Sequence, residues 1–346
     1  MYKRFVKGAI TIYIAIIIVI SSFVFIVDPF CHYHAPWLGL EVTPTNEIYY
    51  NPGIAQNTEY NNAIIGTSMT ENFRVSWFEQ LFGGNTVKLS YSGGTSENMR
   101  IILEKVFSSK NSIDRIFWGM DLTHLTGDTI QTRHPLPEYL YDDKWTNDVN
   151  YLLNKEVILE HCRYMLQQTI NIDDAYTWDD AYVFSEEEVL YGRQAYVDIR
   201  PENAQKEQPS ETLLKVAEEN LNKILPFIQN NPDTTFYIFT PPYSILYWDA
   251  AKRGGTAGAN LDVMESVIGK LLEFPNVKIF YFQNDETIIT NLNNYKDYTH
   301  YSKEISYKIA VSMQEEKYML SKDNYKHEID KMRNLVNNYD YEQFFQ

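Results

Sequence analysis

Residues 60–70 read Tyr60-Asn61-Asn62-Ala63-Ile64-Ile65-Gly66-Thr67-Ser68-Met69-Thr70. Ala63-Ile64-Ile65 is a short apolar run, the size of a buried strand, and it passes through Gly66-Thr67-Ser68 into a helical stretch that reaches Leu81. The same alternation recurs along the chain. Val87-Lys88-Leu89 is a second strand, followed by Gly93-Gly94 and a helix beginning near Thr95 or Ser96, both good N-caps. That helix places Met99, Ile102, Leu103 and Val106 on one face. Residues 113–118 are a third strand, 235–240 a fourth and 277–282 a fifth. Amphipathic stripes flank the fourth strand: Leu213 to Ile228 behind Ser210, and Leu261 to Leu272 after it; a last helix follows Ser302. Strands alternating with helices require crossover connections, which give a mainly parallel five-stranded sheet covered on both faces, an α/β fold. Ligand sites in such sheets lie at the carboxyl ends of the strands.

Three motifs fall at those ends. Ser68 closes the first strand and opens a helix, whose N-terminus favours developing negative charge. The nucleophile-elbow pattern G-x-S-x-G is absent, since position 70 is Thr. Asp297-Tyr298-Thr299-His300 lies beyond the fifth strand. A serine nucleophile needs a base that titrates near neutrality, and that histidine needs a carboxylate on its other nitrogen. A D-x-x-H turn can supply both, so Asp297 and His300 are candidates, with His124 after the third strand as the rival base. Gly93 and Gly94 are the third motif, because glycine lets a backbone N–H approach an oxyanion. An ordinary strand-to-helix turn would look the same.

Composition bounds what surrounds this domain. The 346 residues carry a net charge of −16, a poor match for nucleic acid. Residues 8–27 hold no charge and are about the length that crosses a ~30 Å hydrocarbon core. Lys3, Arg4 and Lys7 precede them, which places the N-terminus in the cytoplasm and the remainder outside. The run is long for a signal peptide and lacks a small-x-small cleavage site, so an uncleaved anchor is expected. Setting those three cations aside leaves −19 for the outer domain, which favours a neutral surface glycan over an anionic one. The expected divisions are an anchor at 1–28, a juxtamembrane linker packed onto the domain at 29–55, a catalytic domain at 56–320 with a helical, aromatic insertion near 125–207, and a charged, partly helical tail at 321–346. The insertion aromatics Trp145, Tyr176, Trp178, Tyr182, Tyr191 and Tyr196 either line a carbohydrate or acyl groove or form a satellite core. Cys31 and Cys162 are two thiols whose pairing the sequence leaves open, and His32 with His34 is a weak metal pair. No cofactor or metal is expected.

Ile65-Gly66-Thr67-Ser68-Met69, Ser92-Gly93-Gly94 and Asp297-Tyr298-Thr299-His300, in that order over residues 60–320, resemble the blocks of the SGNH/GDSL hydrolase superfamily. The resemblance implies a three-layer, flavodoxin-like fold, with Ser68 as nucleophile, His300 as base and Asp297 as its orienter. It also implies an oxyanion hole built from the second-block glycine and a third-block Asn. Here the third block reads Gly119-Met120-Asp121-Leu122, and an ionised Asp121 cannot donate. The hole is then expected from the backbone N–H groups of Ser68 and Gly94, with Asp121 in another role. The anchor, Asp28-Pro29-Phe30 with Tyr33 and Pro36, and Pro241-Pro242-Tyr243 look like the DltD-like and alginate O-acetylation branch. Those proteins work beside a membrane-bound O-acyltransferase. The function so implied is outward-facing O-acyl transfer to or from a cell-surface polysaccharide, with Gly93, Asp121, His124 and Tyr243 lining the site. A non-catalytic anchored scaffold and a plain esterase are the alternatives.

Overall fold

The computed structural model describes residues 2–42, 44–170, 177–183 and 192–345. Five parallel strands form the sheet: β1 (Asn62–Gly66), β2 (Thr86–Ser90), β3 (Arg115–Gly119), β4 (Thr235–Thr240) and β5 (Val277–Tyr281). The five expected strands are all present within two residues of their ends. A sixth, β6 (Met319–Leu320), pairs antiparallel with β5, so the sheet is six-stranded and mixed, in the order β2-β1-β3-β4-β5-β6. Two residues are too few to leave a periodic signal in the sequence. Every residue of β1 and β2 is buried, as expected of parallel strands with helices on both faces.

Chain direction reverses at β1: the chain steps to β2 on one side, then crosses to β3 on the other. The crevice beyond the carboxyl ends of β1 and β3 is therefore the switch point where doubly wound sheets bind ligands. Gly66 closes β1 at φ 155°, and a Cβ there would lie 2.6 Å from the Thr70 side chain. Only glycine allows the chain to turn this tightly into Ser68.

Helix α1 (Tyr2–Val27) is 26 residues, long and apolar enough to cross a membrane. The juxtamembrane stretch at 29–55 packs onto the domain and contributes Phe30, Cys31, Val42, Tyr50 and Ile54 to its core. Helix α2 (Glu47–Asn57) lies in it, with Tyr50, Asn51 and Ile54 fully buried. Pro52 removes one backbone bond inside α2, and the Tyr141 hydroxyl donates to the freed Ile48 carbonyl at 2.7 Å. Helix α3 (Val75–Phe82) follows the Ser68–Thr70 3₁₀ turn. Helix α4 (Ser96–Ser108) is capped by Thr95, which forms a capping box with Asn98. Ser210 and Ser302 precede their helices but make no side-chain cap. The expected tail at 321–346 carries a helix, Tyr325–Asn338, that inserts Ile329, Met332 and Val336 into the core. The described part of the insertion is built of short helices, and Tyr182 and Tyr196 are buried, with hydroxyls on Asn51 and Asp249. These two belong to a core rather than a groove, while Trp145 is exposed. Tyr176 and Tyr191 lie outside the described residues.

Candidate active site

The chain brings Ser68, His300 and Asp297 together from positions 232 residues apart. Ser68 Oγ lies 2.8 Å from His300 Nε2, and His300 Nδ1 lies 2.7 Å from Asp297 Oδ2. The other carboxylate oxygen, Asp297 Oδ1, accepts the backbone N–H groups of Thr299 and His300, both at 2.7 Å. The D-x-x-H turn thus orients its own carboxylate before that carboxylate orients the ring. The Tyr301 hydroxyl donates to the Met69 carbonyl, which ties the base-bearing turn to the nucleophile turn.

The electrostatics follow from burial and charge. Burial opposes the charged form of His300, but the hydrogen bond and charge of Asp297, with Glu71 and Asp121 beyond, outweigh it and raise the imidazole above its usual value. Burial likewise opposes ionised Asp297, yet its bonds from His300 and Thr299 hold it well below the usual carboxylate range. His124, the rival base, is 1% exposed, and neither ring nitrogen has a partner among the described residues. Burial lowers it to about 4, so it stays neutral beside Trp118 and makes no hydrogen bond to Ser68 or Asp297 among the described residues.

Asp121 closes the switch-point crevice as an acceptor. It takes the Thr67 hydroxyl at 3.0 Å, the Tyr243 hydroxyl at 2.7 Å, and the N–H and hydroxyl of Thr123, both at 2.8 Å. In doing so it caps the helix Leu122–Thr126 and holds Thr67, the residue before the nucleophile. Tyr243 is buried beside it and stacks on Tyr247, so it reaches the site through its hydroxyl on Asp121. Gly94 does not fit its expected role: its N–H is donated to the Tyr91 carbonyl at 2.8 Å, closing the turn. A Cβ at Gly94 would meet Tyr91 at 2.9 Å, so close packing accounts for this glycine. The N–H groups of Ser68 and Gly93 have no acceptor among the described residues, and Gly93 adopts φ 59°.

Several neighbours carry no motif in the sequence. Lys88 is fully buried in β2 and donates to the carbonyls of Glu71 (2.6 Å) and Phe73 (2.8 Å), pinning the loop after the nucleophile. Burial lowers its ammonium to about 7. Glu71 is 6% exposed, and burial together with the charge of Glu47 pushes its carboxyl up to about 7. Asn72 is buried with neither amide atom partnered among the described residues. The signal for Lys88 was available, since a lysine in an otherwise apolar parallel strand must find acceptors.

Between α3 and the helix Lys303–Gln314 lies a shallow, open groove of about 440 Å³ lined by Arg74, Trp77, Gln80, Lys303, Glu304 and Tyr307. No triad residue lines it; α3 begins at Val75, after Ser68, and the other helix at Lys303, after His300. Trp77 and Tyr307 meet edge to face with ring centres 5.1 Å apart. The two cysteines are free and buried, and His34 is committed to backbone carbonyls of Phe25 and Ala35, so neither pair forms the link left open above. No known protein family, curated protein or solved structure matches this chain.

Proposed function

We propose that the protein is a membrane-anchored serine acyltransferase or esterase that moves a small acyl group, such as acetyl, to or from a cell-surface polysaccharide. The observation that carries this is the unbroken Ser68–His300–Asp297 hydrogen-bond relay at the carboxyl ends of the parallel strands. His300 takes the Ser68 proton as Oγ attacks the acyl carbonyl, and Asp297 stabilises the resulting imidazolium. The oxyanion is met by the N–H groups of Ser68 and Gly93. His300 then returns the proton to the leaving oxygen, and the acyl-enzyme passes its acyl group to a sugar hydroxyl or to water. The strand order is that of flavodoxin-type sheets, which supports the SGNH-like assignment. In this reading α1 spans the membrane with its Lys- and Arg-bearing end in the cytoplasm, and a membrane-bound O-acyltransferase hands over the acyl group.

The groove supports a glycan acceptor, because Trp77 and Tyr307 supply aromatic surface, with the Arg74 guanidinium 5.9 Å from the Trp77 ring centre, and Gln80 and Glu304 offer hydroxyl partners. Its two cations, Arg74 and Lys303, run against the overall acidity, so local charge does not bar an acidic sugar. The test is a burst assay with p-nitrophenyl acetate on the full-length protein in detergent. One equivalent of nitrophenol per chain is expected, with an acetyl adduct on Ser68 by mass spectrometry. His300→Ala should slow the burst by about 10²-fold or more. Absence of both burst and adduct in the wild type would overturn the assignment.

A further inference from the structure

The segment Asp28-Pro29-Phe30, with Tyr33 and Pro36, has no part in the triad, and the structure gives it another role. The Asp28 carboxylate accepts the N–H groups of His32 (3.0 Å), Tyr33 (2.7 Å) and His34 (3.0 Å), and the Tyr151 hydroxyl at 2.7 Å. The chain therefore folds back on itself the moment it leaves α1. The returning loop satisfies last-turn carbonyls that the helix cannot: the Trp37 indole N–H donates to Ile26 O at 2.6 Å, and His34 Nε2 bonds Phe25 O at 2.8 Å. Residues 149–152 and 157–162 pack on the same end of α1, and Val24 and Val27 are buried there. Together these three segments form a collar around the last turn of α1.

The height of this collar is fixed by arithmetic. Residues 8–27 rise about 30 Å as a helix, the full hydrocarbon thickness. If α1 spans, as the proposed function has it, Val24 to Val27 lie at the membrane surface, and so does whatever packs around them. The collar presents apolar side chains outward: Trp37 is 43% exposed, Leu38 79% and Leu159 55%. Trp is the residue that prefers the headgroup level. The charges flanking Leu159 (Lys155, Glu156, Glu160 and Arg163) cancel, so burial of apolar surface rather than attraction to anionic lipid would drive contact.

We propose that the collar is a lipid-facing surface, with Trp37, Leu38 and Leu159 entering the headgroup region around α1. The domain is then seated on the leaflet at a fixed height, without a tether, and its site meets substrates confined near the membrane. The test uses the full-length protein in phosphatidylcholine nanodiscs, spin-labelled singly through Ile16→Cys, Leu38→Cys, Leu159→Cys or Ile130→Cys. Native Cys31 and Cys162 are fully buried. Collision with oxygen and with nickel–EDDA is read at each label. The expected result is exclusion of nickel–EDDA at position 16 and several-fold suppression at 38 and 159, relative to the exposed position 130. Full nickel access at 38 and 159, with 16 still protected, would overturn the collar and leave the spanning helix standing. Nickel access at 16 would overturn both.

Discussion

Glu71 sits three residues past Ser68, buried, with its charge bearing on His300. In the proposed mechanism His300 acts as a base only when its imidazole is neutral, so Ser68 reactivity should rise with pH through the raised His300 value. A Glu71→Gln variant removes a negative charge that favours the imidazolium, and the rising limb should move to lower pH. Phosphonate labelling rate against pH measures this, and an unmoved limb would exclude the coupling. Asp121 supports the second prediction at this scale. Its two oxygens accept four hydrogen bonds, and in Asp121→Asn an NH₂ must face one of those donors. Loss of about 1–3 kcal/mol is expected from denaturant unfolding, with no gain in ester turnover. The triad was legible because its chemistry needs fixed residue types: a Ser at a strand end and a carboxylate three residues before a His. Gly94 was misassigned because a glycine needed for packing and one needed to present an N–H look alike. Glu71 and Asn72 carry no pattern, since their importance comes from burial alone.

Lys88 links β2 to the loop that carries Ser68, and its prediction belongs to these elements. Burial lowers its folded value to about 7, while the unfolded chain holds the proton up to about 10.4. Between pH 7 and 10 the unfolded state therefore binds more protons, and stability should rise with pH. Glu71, raised to about 7, opposes this only below pH 7, where stability falls as pH rises from its unfolded value. Lys88→Met should flatten the slope between pH 7 and 10, and should also slow Ser68 labelling by freeing the Glu71 and Phe73 carbonyls. An unchanged slope in denaturant titrations would count against a neutral Lys88. The five parallel strands were readable because each is a dense apolar run. Helix α2 was not, because it is buried on most sides and contains Pro52, so neither periodicity nor propensity marks it.

At the scale of the molecule, the stretches that looked peripheral are structural. The C-terminal helix buries Ile329, Met332 and Val336, each worth about 1.5–3 kcal/mol. Their sum is comparable to the whole stability of a typical domain. A chain ending at residue 320 should therefore fail to accumulate in folded form, whereas a detachable tail would leave the yield unchanged. An acidic average likewise concealed a groove holding two cations, because net charge says nothing of where charge sits. What joins these scales is the proposal that Ser68 is made nucleophilic by His300, which comes from the far end of the chain. A fluorophosphonate probe reads that claim most directly. Wild-type protein should be labelled at Ser68, with labelling abolished in Ser68→Ala and strongly slowed in His300→Ala. Equal labelling of the wild type and Ser68→Ala would contradict it.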